Sequence, residues 1–246
     1  HGFHDCRAVL MNKDVELREK QKRAWGCLMG VAVGDAMGMP SSFLTREQIA
    51  RDFGVIDGFL PAPSGHLQHA GLKAGQVTDD TEQTVCLARS IIQAGAVESR
   101  IFAANLVRWA KDRGVFGADR GIVGPTTRVA LREIEQGKDL KEVGKYGKTN
   151  GAVMRIAPVG IFNAWGKPLV TDIMADVEKA CMPTHWTNAA ISGAGAVAAA
   201  ITYFIKGADL DLATQAAREA ITIGSRLGRP VSGSSVKARL DFALRM

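Results

Sequence analysis

Thr187-Asn-Ala-Ala-Ile-Ser-Gly-Ala-Gly-Ala-Val-Ala-Ala-Ala-Ile-Thr-Tyr-Phe-Ile205 runs without a charged side chain, and its reading decides the fold. The stretch is long enough to test as a membrane span. Asn188, Ser192, Thr202 and two glycines dilute it, however, and alanine supplies most of the rest. A helix that is small and uncharged all round belongs in the interior of an all-helical protein. A buried core helix is therefore expected, and no membrane partner.

Helical spacing continues on both sides. Phe102, Leu106, Trp109 and Ala110 share one helix face, as do Ala213, Ala217, Ala220, Ile221 and Gly224. Glycine and proline punctuate between such runs, at 54–75, 114–125 and 144–151. No stretch alternates as a strand does, and no repeat of fixed period occurs. The expected fold is all-α, a compact single-domain globule of about ten helices. Its longest irregular stretch, residues 54–77, has the length of a functional loop.

The chain's 246 residues suit one domain, or two small ones. An apolar share of 46% excludes disorder as the main state. Cys6, Cys27, Cys86 and Cys181 form no Cys-x-x-Cys pair, which argues against a disulfide framework or a cysteine zinc site and for a reducing, cytoplasmic location. The net charge of +6 is mild and only 6% of residues are aromatic, so no nucleic-acid partner is expected. The basic run Arg18 to Arg23 reads as a solvated helix face. The chain begins at His1 rather than methionine, which makes Met11 a candidate start. No basic stretch followed by a long apolar run is present there, so no secretory signal is expected.

Four segments hold the candidate chemistry. In Gly75-Gln-Val-Thr78-Asp79-Asp80-Thr81-Glu82, Thr78 is placed to cap a helix whose first turn is acidic. The same geometry converges one hydroxyl and two carboxylates, the hard oxygen ligands that Mg²⁺ or Mn²⁺ prefers. The second segment runs from Gly26 to Pro40, with glycines at 26, 30, 34 and 38 on one stripe that suits close helix packing. Asp35 lies within it, where a buried carboxylate needs partners: a neighbouring backbone to cap, or a site to support. In the third, Thr149-Asn150-Gly151-Ala-Val-Met154-Arg155-Ile-Ala-Pro158, Asn-Gly signals a turn and the rest reads as a helix start with N–H groups free for a phosphate. A nucleotide P-loop through Lys148-Thr149 fails because Glu142 stands where its first glycine belongs. In the fourth, Pro183-Thr184-His185-Trp186-Thr187-Asn188, His185 is either structural or a ligand contact.

Together these segments resemble the ADP-ribosylglycohydrolase family, which includes dinitrogenase-reductase-activating glycohydrolases and jellyfish lens crystallins. Gly30 to Gly38 (GVAVGDAMG), Thr78 to Thr81 (TDDT), Asn150 to Pro158 (NGAVMRIAP) and Thr184 to Ala200 carry the resemblance, in the family's order and spacing. It implies an all-α fold with two divalent cations, Mg²⁺ or Mn²⁺, at the bottom of an ADP-ribose cleft. Thr78, Asp79 and Asp80 then look like metal ligands, with Asp79 and Asp80 as catalytic carboxylates. Asn150, Gly151 and Met154 look like the loop against ribose and diphosphate, and His185 like a substrate contact. The implied reaction is hydrolysis at the anomeric carbon of an ADP-ribosyl group on a protein side chain or small molecule, by a monomer or small homo-oligomer.

Two departures qualify the resemblance. Ser41-Ser42-Phe43 stands where family members commonly carry Glu-Phe, and serine is no carboxylate base. The family's late Asp-x-Asp-Thr/Ser metal motif does not occur by Met246; Asp209-Leu-Asp211 reads as a helix cap instead. Residues 1–20 thus read as an extension, and 21–246 as a family domain whose second cation site lacks its ligands. Weakened metal binding follows. An inactive, crystallin-like or ADP-ribose-binding protein on the same fold is the alternative, and a hydrolase of another ribosyl compound a further one.

Overall fold

The computed structural model describes residues 3–117, 123–166, 168–233 and 235–246, with side chains from Asp14 onward. Among these residues there are eleven α-helices and no strand. In order they are α1 (Phe3–Gly38), α2 (Arg46–Asp52), α3 (Asp79–Ala94), α4 (Ser99–Asp112), α5 (Pro125–Glu135), α6 (Leu140–Gly144), α7 (Ala157–Asn163), α8 (Val170–Cys181), α9 (Asn188–Ile205), α10 (Leu210–Gly224) and α11 (Val236–Ala243). The uncharged segment is α9, packed against α7, α8 and α10. By length and composition it could cross a membrane, but here half of its apolar window is buried inside the protein.

Small residues are what let these helices meet. A Cβ at Gly160 of α7 would lie 2.7 Å from the Ala198 carbonyl of α9. One at Gly224 of α10 would lie 2.8 Å from Ser192 Cα. Around this contact a single large core runs through Leu87 of α3, Phe102 and Leu106 of α4, Leu131 of α5 and Ile173, Met174 and Val177 of α8. The face predicted for α10 is buried as its spacing requires; on α4 Phe102, Leu106 and Ala110 are buried and Trp109 is half-buried against them. Asp209 caps α10, its carboxylate accepting from the Leu212 N–H at 2.9 Å. Lys20 and Lys22 pair with Glu16 and Glu19 on a solvated stretch of α1.

The glycine stripe of α1 corrects the sequence reading. Among the described residues nothing lies within 4 Å of a Cβ built at Gly26, Gly30, Gly34 or Gly38. The helix turns its other face inward, through Ala24 and Ala36, while Trp25, Met29 and Val33 are exposed beside the glycines. Gly34 and Gly38 border a cavity instead.

Candidate functional site

The cavity forms where α1, the start of α3 and the loop before α7 meet. Thr78 is the N-cap of α3, its hydroxyl accepting from the Asp80 N–H at 3.3 Å. Asp35 of α1 reinforces that cap from outside. Its Oδ1 accepts from the Thr78 hydroxyl at 2.7 Å, and its Oδ2 from the Thr78 N–H at 2.8 Å, the Thr81 N–H at 3.1 Å and the Thr81 hydroxyl at 2.6 Å. Four donors on one carboxylate fix the helix start relative to α1 and set Asp79 and Asp80 facing the cavity. Asp79 is buried, and its carboxyl is pushed up to about 7 by burial and then by Asp80. Burial, with Asp35 next, pushes Asp80 up to about 6. Glu82 turns away from the site, taken by the Trp109 and Arg113 side chains of the α4 region.

A buried polar chain ties this wall to the opposite one. Gln83 donates to Asp79 Oδ2 at 2.9 Å and accepts from Arg155 at 2.5 Å; Arg155 also donates to the Thr184 hydroxyl at 2.5 Å. Thr184 Oγ1 lies 2.8 Å from His185 Nδ1, and His185 Nε2 lies 2.9 Å from the Thr149 hydroxyl. His185 therefore does not stand where the resemblance put it. It is fully buried and does not line the cavity, but lies beneath Gly151 as the support of the Thr149–Gly151 loop. Burial, and then the Arg155 charge, drive its pKa down to about 3, so it is a neutral ring. A Cβ at Gly151 would lie 2.5 Å from His185 Cε1. Gly151→Ala should thus cost about 1–3 kcal/mol through overpacking, measurable as a lower urea midpoint.

Asn150, Gly151 and Met154 line the cavity opposite Thr78, Asp79 and Asp80, together with Phe43, His69 and the Gly124–Thr127 start of α5. The cavity volume is about 520 Å³. The loop differs in form from the expected helix start. Val153–Arg155 is a 3₁₀ turn and α7 begins only at Ala157, because Pro158 lacks an N–H and disfavours helix before it. The Ser41 and Ser42 hydroxyls turn back onto the Gly38 carbonyl. Among the described residues no three His, Cys, Asp or Glu side chains converge to hold a metal ion. The oxygen donors on offer are Thr78, Asp79 and Asp80. Sequence reasoning missed Gln83, Arg155, Phe43, His66 and His69; only the His-x-x-His spacing was a visible signal.

Comparison with known proteins follows the same lines. The ADP-ribosylglycohydrolase family model matches residues 16–246. The uncharacterized protein YegU of Escherichia coli K12 is 32% identical over 92% of this chain and 67% of its own length. The ADP-ribosyl-[dinitrogen reductase] glycohydrolase of Rhodospirillum rubrum is 33% identical over 56% of this chain and 44% of its own. The ADP-ribosylarginine hydrolase Tri1 of Serratia proteamaculans is 29% identical over 79% of this chain and 50% of its own. Such relatives are thus matched over about half to two thirds of their length. A solved structure described as an ADP-ribosylglycohydrolase-related protein complex superposes with a TM-score of 0.58 at 24% identity, over 85% of this chain and 64% of that one, and shares the fold.

Proposed function

Because the chain belongs to the ADP-ribosylglycohydrolase family, we propose that this cavity takes an ADP-ribosyl group with a divalent cation and hydrolyses the bond at its anomeric carbon. The observation that carries the reading is convergence: Thr78, Asp79 and Asp80 face Asn150, Gly151 and Met154 across one cavity. The family acts on glycosidic bonds of ADP-ribosyl groups, and the names of two relatives specify arginine and dinitrogen reductase. A protein side chain is accordingly the proposed carrier of the ADP-ribose. The free, buried thiols of Cys86 and Cys181 suit a reducing compartment, and the proposal includes a cytoplasmic location.

The donor set fits a hard cation. Thr78, Asp79 and Asp80 would hold Mg²⁺ or Mn²⁺ through oxygen, and burial, followed by the neighbouring carboxylates, raises both carboxyl pKa values, a cost that a bound cation would offset. Such an ion, once bound, supplies charge neutralisation and lowers the pKa of a coordinated water. The chain's own residues do the rest. Asp80, the less buried of the pair, orients the attacking water and accepts its proton as the oxygen bonds to the anomeric carbon, while the bond from that carbon to the carrier side chain breaks and the leaving group takes up the proton. Asp79 is held in place by Gln83. The Thr149–Gly151 loop, rigid on His185, positions ribose and diphosphate.

Incubation with an ADP-ribosylated arginine substrate in Mg²⁺ or Mn²⁺ tests the reading. ADP-ribose should be released, and both chelation and Asp80→Asn should stop the release. The serines that stand at 41 and 42, both turned onto backbone, favour a second reading of an ADP-ribose-binding protein without turnover. Binding with no release would support that one. Neither binding nor release would contradict both.

A further inference from the structure

Outside that cavity, α6 and the loop after it meet the turns before α9 and after α10. Three cations there stand over two aromatic rings. Lys141 Nζ lies 5.1 Å from the Trp186 ring centre, and Lys145 Nζ and the Arg229 guanidinium lie 5.3 and 5.0 Å from that of Tyr146. Backbone bonds fix the arrangement: the Trp186 N–H donates to the Gly144 carbonyl at 2.7 Å, and the Arg229 N–H to the Trp186 carbonyl at 3.0 Å. Elsewhere Lys20, Lys111 and Lys138 pair with glutamates. Among the described residues Lys141, Lys148 and Arg229 have no ion pair, and of this group Lys145 alone meets a carboxylate, that of Glu142.

A second observation extends the patch. Lys148 and Lys237 line a second cavity of about 700 Å³, together with Ser225, Ser232 and Ser235, and no described Asp or Glu lines it. Thr149 borders both cavities, so the basic one adjoins the acidic one that holds Asp79 and Asp80. Tyr146 stands three residues before Thr149, within about 11 Å of it by chain length.

We propose that this basic surface docks an acidic segment of the protein that carries the ADP-ribose, with a carboxylate of that segment seated in the cavity of Lys148 and Lys237. The inference rests on the hydrolase reading and adds how the carrier is chosen. A carrier whose modified side chain fills the acidic cavity comes to lie beside the basic one. Cations already held on rings lose little freedom on meeting a carboxylate, and their unpaired charge speeds the approach of an anionic surface. A nucleic acid needs open rings for its bases, whereas Tyr146 already carries two cations and Trp186 one.

Two peptides test this, alike except that glutamates or lysines flank a single arginine, each made with and without ADP-ribose on it. Fluorescence anisotropy reads binding of the unmodified pair, and release of ADP-ribose in Mg²⁺ reads turnover of the modified pair. The wild type should favour the glutamate peptide about tenfold in Kd and KM, and less so at high salt. The double variant Lys141→Glu, Arg229→Glu should lose the preference while its affinity for free ADP-ribose holds. Both residues are exposed, and the single variants serve should the double one misfold. Equal binding of both peptides by the wild type, or a preference that survives in the variants, overturns the docking surface. So does a parallel loss of ADP-ribose affinity, or tighter binding of a uridine oligonucleotide than of the glutamate peptide. Glutamate-peptide binding that depends on the patch, without release from the modified peptide, overturns the hydrolase reading alone.

Discussion

Arg155→Met should cost the folded protein about 1–3 kcal/mol, the range for leaving a buried hydrogen-bonding oxygen without its partner. Arg155 is 1% exposed, and its guanidinium faces the Phe102 ring at 5.1 Å while bridging Gln83 and Thr184. Methionine fills much of its volume but strands the buried Gln83 carbonyl oxygen and leaves the Thr184 hydroxyl with His185 alone. It also removes the cation that restrains the Asp79 carboxyl. Burial already lowers the Arg155 pKa to about 10, so the charge is held at a cost that only its partners offset. For a chain of this length the loss corresponds to roughly 5 °C in Tm, read by calorimetry. An unchanged midpoint would mean that the polar chain joining the cavity walls contributes nothing.

Asp79→Asn should act in the opposite direction and stabilise the cation-free protein by about 2–4 kcal/mol above pH 7. Asp79 ionises near 7 in the folded chain against an ordinary value of 3.8. Between those values the folded state holds a proton that the unfolded state has released. Stability from this group is therefore full below 3.8, falls as pH rises to about 7, and stays lost above. Asparagine does not titrate and can still accept from Gln83. His185 has the reverse dependence, its depressed pKa withdrawing stability as pH falls below 6.5. That contribution is common to both proteins and cancels in the difference. The gap between wild type and variant should open from pH 4 to 7 in urea titrations, and close again for the wild type alone when Mn²⁺ is added. A gap independent of pH would contradict the burial argument.

Much of the fold was legible because helical spacing survives in single residues. The uncharged run at 187–205 was legible as a packing helix, since its small residues let neighbouring helices come close. Thr78 and Asp35 were legible as caps because a hydroxyl before two acids, and an acid inside a small-residue helix, each need a donor. Depth was less legible. His185 looks the same in sequence whether it faces ligand or core, and the backbone of Gly147 and Gly151 pressed against it is what decides. Arg155 reads as a surface residue by type; its partners Gln83 and Thr184 are 72 and 29 positions away, beyond any local pattern. The α1 glycines suggested packing by type, yet which face turns inward is set by Ala24 and Ala36. His66 and His69 sit in a loop without periodicity, where burial leaves no trace in the spacing.

The central claim is that one cavity between the start of α3 and the Thr149–Gly151 loop binds ADP-ribose. Backbone-amide NMR during titration with ADP-ribose in Mg²⁺ tests it most directly. The account predicts saturable shifts at Gly34, Asp79, Asp80, Gly151 and Met154, absent in Asp80→Asn. Shifts confined to another face, or none at all, would contradict it.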